Sequence, residues 1–149
     1  MNRLFSRVLA VVVVLGVPGL ASAADPDVKG KWTGKTHTII AGKDGTWPSS
    51  TGTYDKPGLF EKDVVIEIVG QDGRRFWGKS TFTGGGETAV KPFVGHLHGK
   101  DGSKVIYADR DGYLNGEISG DTLSYCYALA PGAAGTSTLV SCTDVKKAK

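Results

Sequence analysis

Three histidines are the residues of this chain whose type and spacing point most directly to chemistry. His96 and His98 lie two positions apart in an alternating segment, so both side chains share one face of a strand. His37 lies in an earlier alternating segment. Neutral imidazole is a common ligand of zinc and similar divalent metals, so His37, His96 and His98 are candidate ligands of a metal site. The alternative interpretation is three solvent-facing polar residues on strand surfaces.

Acidic residues suggest two further kinds of site. Glu67 stands inside an otherwise apolar segment, and it is either a buried functional carboxylate or an ordinary outward-facing residue. A calcium site is a second possibility, although the order of its oxygen ligands is not that of an EF-hand; its members are Asp109, Asp111, Asn115 and Glu117. The simpler interpretation of Asp111-Gly112 is a turn. The sequence supports no Ser-His-Asp or Cys-His arrangement, so no catalytic residue is assigned.

Aromatic residues provide the remaining candidate site. The segment 42–61 is a long connection with Trp47, Tyr54 and Phe60 among its Gly, Pro, Ser and Thr residues. Long connections of this kind are often functional. These side chains, together with Trp77, could close over a small apolar or amphipathic ligand. The alternative is a loop that packs as a lid on its own core.

The two cysteines predict a disulfide. Cys126 and Cys142 are equally far from Ala134, which lies inside a stretch of loop composition, Pro131–Thr136. Positions equidistant from a hairpin tip face each other across the two strands, within bonding reach. An even number of cysteines in an exported chain favours the bonded state over a metal ligand or a reactive thiol.

The first 23 residues have the pattern of a secretory signal peptide. Arg3 and Arg7 precede the apolar run Val8–Val17, and Ala21-Ser22-Ala23 is typical of a cleavage site. The apolar run is too short to span a membrane. We therefore expect a periplasmic or secreted single domain over residues 24–149. Loss of two arginines from a chain of net charge +3 leaves it nearly neutral, which argues against nucleic-acid binding.

The elements that position these residues are strands. Polar and apolar residues alternate along most of the expected mature chain, and Asp-Gly or Gly-Asp pairs between the segments are typical of hairpin turns. A series of hairpins predicts an all-β, eight-stranded antiparallel up-and-down barrel, with a two-sheet sandwich as the alternative. A further short strand near 51–54 is possible. The expected strands lie near 31–40, 62–70, 75–83, 91–98, 104–109, 113–119, 122–129 and 137–146.

Gly30-Lys31-Trp32, on the first expected strand, carries a resemblance to a known superfamily. This Gly-x-Trp followed by an eight-strand meander resembles the calycins, which include lipocalins and avidins. The spacing of residues from Gly30 to Tyr54 resembles that of an avidin. The resemblance implies that Trp32 closes one end of a barrel and that Tyr54 contacts a ligand. The mature chain is also similar to small secreted bacterial proteins, in the stretches 70–76, 109–112, 126–127 and 141–142.

These observations lead us to expect an exported, non-enzymatic binding module for a small apolar or amphipathic ligand. One alternative is a periplasmic inhibitor or envelope domain that binds a protein partner through the loop face. Another is a metal-binding protein that uses His37, His96 and His98 to hold a divalent cation. Ligand binding requires a cavity, whereas protein binding requires an exposed apolar patch.

Overall fold

The computed structural model describes residues 25–43, 50–129 and 137–149. Within these ranges the regular structure is β throughout, and the boundaries follow the expected alternation closely. The strands are β1 (Gly30–Lys43), β2 (Thr51–Gly52), β3 (Gly58–Asp72), β4 (Arg75–Gly84), β5 (Glu87–His98), β6 (Lys104–Ala108), β7 (Gly112–Ser119), β8 (Thr122–Leu129) and β9 (Thr138–Lys147). The signal-peptide prediction, Trp47 and the loop centred on Ala134 all lie outside the described residues.

Eight of these strands form a closed antiparallel barrel. Each strand from β3 to β8 pairs with the next one along the chain, and β1 pairs with both β3 and β9. The β1–β9 ladder, in which His37 lies opposite Cys142, closes the sheet on itself. Because closure leaves no long unpaired strand edge, the up-and-down barrel is confirmed over the sandwich. The two-residue strand β2 pairs only with the end of β1, at Gly42 and Lys43.

Period-2 alternation divides the two faces of the wall. In β3, Val64, Ile66 and Ile68 point inward and are buried, whereas Glu67 lies on the outer face. Every second side chain of each long strand therefore faces the apolar interior, because successive side chains of a pleated strand point to opposite faces. The largest fully buried side chains of this interior include Trp32, Phe76, Ile40, Ile66, Leu97, Leu114 and Leu123.

One end of the barrel is closed by Trp32 and the residues that precede β1. The Trp32 indole Nε1 donates to the carbonyl oxygen of Val28 at 3.0 Å, and both side chains are 1% exposed. Gln71, at the far end of β3, accepts from the Val28 amide and donates to the carbonyl oxygen of Pro26. The Lys147 ammonium lies 5.4 Å from the centre of the Trp32 ring. These contacts seal the end at which β9 finishes.

Three expected turns have glycine in the left-handed region. Gly73 (φ 57°) follows Asp72 between β3 and β4, Gly102 (φ 71°) follows Asp101 between β5 and β6, and Gly120 (φ 60°) precedes Asp121 between β7 and β8. At these angles a Cβ would be strained, which explains the choice of glycine. The chain also turns at Asp111-Gly112, where the Asp109 amide donates to the Gly112 carbonyl oxygen at 3.1 Å, but Gly112 has no positive φ and begins β7.

The long connection before β3 is shorter than expected. The ladder pairs Ile40 with Gly58, so β3 begins at Gly58 and already contains Leu59 and Phe60. Phe60 is therefore a half-buried strand residue packed against the core, and the expectation that it belongs to a loop is wrong. Pairing with β1 orders these residues because it satisfies their backbone groups.

The predicted disulfide is present. Cys126 on β8 lies directly opposite Cys142 on β9, and their sulfur atoms are bonded. Such a bond indicates an oxidising, non-cytoplasmic compartment. The parts of the chain that the structure describes contain no helix able to cross a lipid bilayer.

Candidate functional site

A small cavity lies inside the barrel at the end opposite Trp32. We call it the mouth cavity; its volume is about 40 Å³. Seven of its lining residues carry a polar group, namely Thr36, Thr38, Lys62, Lys91, Tyr125, Tyr127 and Ser141. The others are Phe82, Leu129 and Leu139. These residues come from β1, β3, β4, β5, β8 and β9, so the cavity exists only when the barrel is closed.

Two lysines point into this interior. Lys62 lies in the same inward phase of β3 as Val64 and Ile66, and it is 7% exposed. Lys91 lies in the inward phase of β5, two residues before the buried Phe93. An ammonium group is strongly hydrated, and its removal from water requires compensating partners.

Asp111 supplies that compensation for Lys91. The Lys91 Nζ lies 3.0 Å from Asp111 Oδ2, and Asp111 is 6% exposed. Burial by itself would raise the pKa of Asp111. The hydrogen bond and charge of Lys91, helped by Arg110, outweigh burial and hold this pKa below its ordinary value. The Asp111 carboxyl is therefore ionised at neutral pH.

The turn that carries Asp111 is held by Asp109. The Asp109 Oδ1 accepts hydrogen bonds from the amides of Asp111 and Gly112 at 2.8 Å, and from the Tyr127 hydroxyl at 2.9 Å. The turn lies between β6 and β7, and the hydrogen bond from Tyr127 ties it to β8. These contacts fix the position of the buried Asp111 carboxylate. Asp109 and Asp111 thus have internal roles that do not require calcium.

The Tyr125 hydroxyl is the unusual group of the cavity. Tyr125 is 5% exposed, and its hydroxyl has no hydrogen-bond partner among the described residues. Burial raises the pKa of Tyr125, so the phenol stays protonated and available as a donor. Native interiors rarely leave such a group unsatisfied, and an orphan of this kind calls for an explanation.

Neighbouring hydroxyls are paired with one another. Thr38 Oγ1 and Ser141 Oγ lie 2.8 Å apart across the β1–β9 ladder, and Ser80 Oγ lies 3.0 Å from the Tyr107 hydroxyl. Burial raises the pKa of Tyr107 as well. By contrast, the Tyr125 hydroxyl has no partner among the described residues, although Tyr125 lines the mouth cavity. Chemically, the cavity offers a buried hydroxyl donor beside a compensated Lys91–Asp111 ion pair.

The three histidines do not come together. His37 lies on the outer face of β1, where its Nδ1 is 3.4 Å from Glu61 Oε1. His96 and His98 share the outer face of β5, and β3 and β4 separate them from β1 along the shorter way around the barrel. No group of three or more potential metal ligands occurs within the described ranges. Metal binding through these residues stays an untested prediction.

The proposed aromatic site is dispersed as well. Tyr54 is 80% exposed, and its hydroxyl lies 2.8 Å from Thr138 Oγ1 near the mouth. Phe60 points inward at the same end. Trp77 lies on the outer face of β4, where its ring fills the space that a Cβ of Gly70 would occupy. Only Tyr54 and Phe60 are therefore near the mouth among the described aromatic candidates.

Glu67 and the outer acidic residues are surface groups. The Glu67 carboxylate lies 3.2 Å from Lys79 Nζ and 4.0 Å from Lys31 Nζ, all on the outer face. Asn115 and Glu117 are exposed positions of β7. The ordinary interpretation of Glu67 is therefore the one that the geometry favours.

Sequence reasoning missed the mouth cavity, although part of its signal was available. Lys62 and Lys91 each stand in phase with apolar residues that turned out to be buried, which is an uncommon place for lysine. The missing information was the partner of Lys91, because the sequence pattern favours a turn at Asp111. Tyr125 carries no such signal, because aromatic residues are common in β cores.

An apolar patch lies on the outer wall. Trp77, Val94, Ala108 and Tyr113 are consecutive partners across β4, β5, β6 and β7. Val94 is 69% exposed and Trp77 is 46% exposed. Ile106 lies beside this row. Exposed apolar groups that adjoin one another in this way are typical of interaction surfaces.

Comparison with known proteins returns no matching family model, curated protein or solved structure. The fold and the site therefore define the class of protein: a disulfide-bonded, eight-stranded antiparallel barrel with a polar cavity at one end. Such a class is compatible with many functions, so function has to be argued from the cavity itself.

Proposed function

We propose that the chain is an exported, non-enzymatic binding module that takes a small amphipathic ligand into the open end of a calycin-like barrel. The observation that carries this proposal is that Tyr125 lines the mouth cavity and that its buried hydroxyl has no hydrogen-bond partner among the described residues. A ligand with an oxygen or nitrogen acceptor would satisfy that hydroxyl. Export to the periplasm or beyond is supported by the leader-like residues 1–23 and by the Cys126–Cys142 disulfide.

The order of side chains along the barrel supports an amphipathic rather than a wholly polar ligand. Leu129 on β8 and Leu139 on β9 lie closer to the rim than Tyr125 and Ser141 on the same strands. An entering molecule would place its apolar part against the leucines and its polar part against the hydroxyl groups. Small-ligand sites commonly combine apolar walls with a few polar groups in this manner.

Native mass spectrometry of the chain exported by its own host tests the proposal. We expect extra mass on the folded protein that is lost on denaturation. Leu139→Trp, which fills the cavity from the inside, should abolish the extra mass. Val140→Phe, at the adjacent outward position, is the matched control and should retain it. A bare wild-type protein would count against a tightly held ligand.

A protein partner is the second candidate, and the exposed patch around Trp77 and Val94 favours it. This surface would bind through apolar burial on the outer wall and would require no cavity. Val94→Lys should abolish such binding without changing the stability, since Val94 is largely exposed. Co-purification from the host with wild-type and Val94→Lys protein checks this, with Val90→Lys as the control at another exposed valine of β5.

A further inference from the structure

We infer that the Cys126–Cys142 disulfide is a site of thiol–disulfide exchange, at which a dithiol protein of the same compartment reduces and re-forms the bond. The inference goes beyond the proposed ligand and does not depend on it. Cys126 is exposed and alternates with the buried Tyr125 and Tyr127, so its sulfur lies on the outer face of the barrel. Exposed disulfides are the ones that commonly exchange, because an attacking thiolate must reach one of the two sulfur atoms.

The bond lies in a broad depression of the outer wall, which both cysteines line. We call it the sulfur depression; it is open to solvent, and its volume is about 990 Å³. Basic and acidic side chains are matched in its lining, with Lys35 and Lys104 against Glu117 and Asp144. A depression of this size and mixed charge admits a loop of another protein that carries a thiolate.

His37 is the proton-carrying group beside the sulfur that departs. It lies directly opposite Cys142 in the β1–β9 ladder, and opposite residues of an antiparallel pair have Cβ atoms about 5 Å apart. On its other side His37 lies opposite Glu61 of β3, and its Nδ1 is 3.4 Å from Glu61 Oε1. The carboxylate thus holds one ring nitrogen and leaves Nε2 for the sulfur, an order of groups that commonly serves thiol chemistry.

The exchange balances as two displacement steps. A thiolate of the reductant attacks Cys126 Sγ, the S–S bond breaks, and its electron pair leaves on Cys142 Sγ. Protonated His37 gives its Nε2 proton to that thiolate, and in the reverse direction neutral His37 takes the proton back. The second thiolate of the reductant then displaces Cys126, which takes a proton from water. The protein gains two electrons and two protons, and the dithiol becomes a disulfide.

The architecture of the barrel accommodates both redox states. β8 is also paired with β7, and β9 is also paired with β1, while the β8–β9 ladder continues on both sides of the cysteines. Reduction therefore removes a crosslink without requiring any strand to separate. The residues next to the cysteines, Tyr125, Tyr127 and Ser141, line the mouth cavity, so exchange on the outer face releases one constraint on the cavity wall.

The test is the rate at which dithiothreitol reduces the mature protein exported by its host, measured by alkylation of the freed thiols and mass spectrometry. We expect this rate to rise in proportion to dithiothreitol concentration and to be unchanged by urea far below the unfolding transition, because the folded barrel is attacked. At pH 6, His37→Gln should slow reduction by about fivefold, since a thiol of higher pKa departs more slowly. Lys35→Gln is the matched control, because Lys35 also lines the depression and lies 3.7 Å from Glu61, and it should leave the rate unchanged.

A thioredoxin variant that keeps only its attacking cysteine locates the reacting sulfur, because exchange then stops at the mixed disulfide. We expect peptide mass mapping to find it bound to Cys126. The inference is overturned if the rate levels off at high dithiothreitol or climbs steeply in dilute urea, since reduction would then require unfolding. Loss of the β circular dichroism signal on reduction would overturn it as well. An unchanged rate in His37→Gln, or a mixed disulfide on Cys142, would overturn the roles assigned to these two residues.

Discussion

The Lys91 ammonium and the Asp111 carboxylate form an ion pair inside the barrel, with Nζ 3.0 Å from Oδ2. A pair of similar length, Lys79 with Glu67 at 3.2 Å, lies on the outer wall. The two pairs have the same chemistry and different surroundings. The side chains of the inner pair are 13% and 9% exposed, whereas those of the outer pair are 49% and 30% exposed.

Removing the lysine should therefore have different effects at the two places. Lys91→Met leaves the buried Asp111 carboxylate with only the exposed Arg110 guanidinium as an ion partner among the described residues, and we expect the free energy of unfolding to fall by about 3 kcal/mol. Lys79→Met breaks a solvated pair and should lower it by at most about 1 kcal/mol. Urea denaturation at pH 7 measures both. Equal losses would show that the inner pair is effectively solvated.

Asp111 predicts an acid sensitivity. Its folded-state pKa lies below the ordinary value of 3.8, chiefly because Lys91 outweighs the effect of burial. A carboxyl of this kind stabilises the fold above its unfolded pKa, and the contribution disappears as pH falls through the folded pKa. Stability should thus decline below about pH 4. In urea titrations from pH 7 to pH 2.5, Asp111→Asn should lessen that decline, whereas Asp121→Asn, at an exposed position, should not.

Tyr125 and Tyr107 should respond in opposite directions to removal of the hydroxyl. In ligand-free protein, Tyr125→Phe removes an unpartnered buried group and should raise the free energy of unfolding by about 1 kcal/mol. Tyr107→Phe leaves the buried Ser80 hydroxyl without its partner and should lower it by about 1–2 kcal/mol. Thermal and urea unfolding measure both. A large loss in Tyr125→Phe would mean that an ordered water satisfies the hydroxyl.

Trp32 should matter far more than Trp77. Trp32→Phe removes the hydrogen bond to Val28 and leaves space at the sealed end, with an expected loss of about 2 kcal/mol. Trp77→Phe, on the outer wall, should change stability by no more than about 0.5 kcal/mol. Chemical denaturation followed by circular dichroism distinguishes them. Similar losses would contradict the assignment of Trp32 as the closing residue.

The disulfide should stabilise the barrel by restricting the unfolded chain. It joins residues 16 positions apart, for which the loop-closure estimate is about 3 kcal/mol. The double variant Cys126→Ser, Cys142→Ser should lose about that amount. Dithiothreitol should destabilise the wild-type protein to the level of the double variant and leave the variant itself unaffected. A smaller effect would indicate residual structure in the unfolded state.

Local features of the sequence predicted much of the fold. β4, β7 and β8 lie within one residue of their expected bounds, because period-2 alternation between glycine turns is a local property. The symmetric spacing of Cys126 and Cys142 about a loop predicted their bond for the same reason. The predicted boundaries are wrong where pairing with a distant part of the chain sets the end of a strand. β3 begins at Gly58 because Gly58 pairs with Ile40 on β1.

The mouth cavity required the tertiary structure. By itself the sequence determined that strands alternate, where most of them turn and which cysteines pair, since these follow from short-range geometry. Only closure of the barrel decided which face of each strand is interior and so buried Lys62, Lys91 and Tyr125 together. The same closure sent His37 and His96 to separate parts of the outer wall, since the curvature and stagger of a barrel are long-range properties.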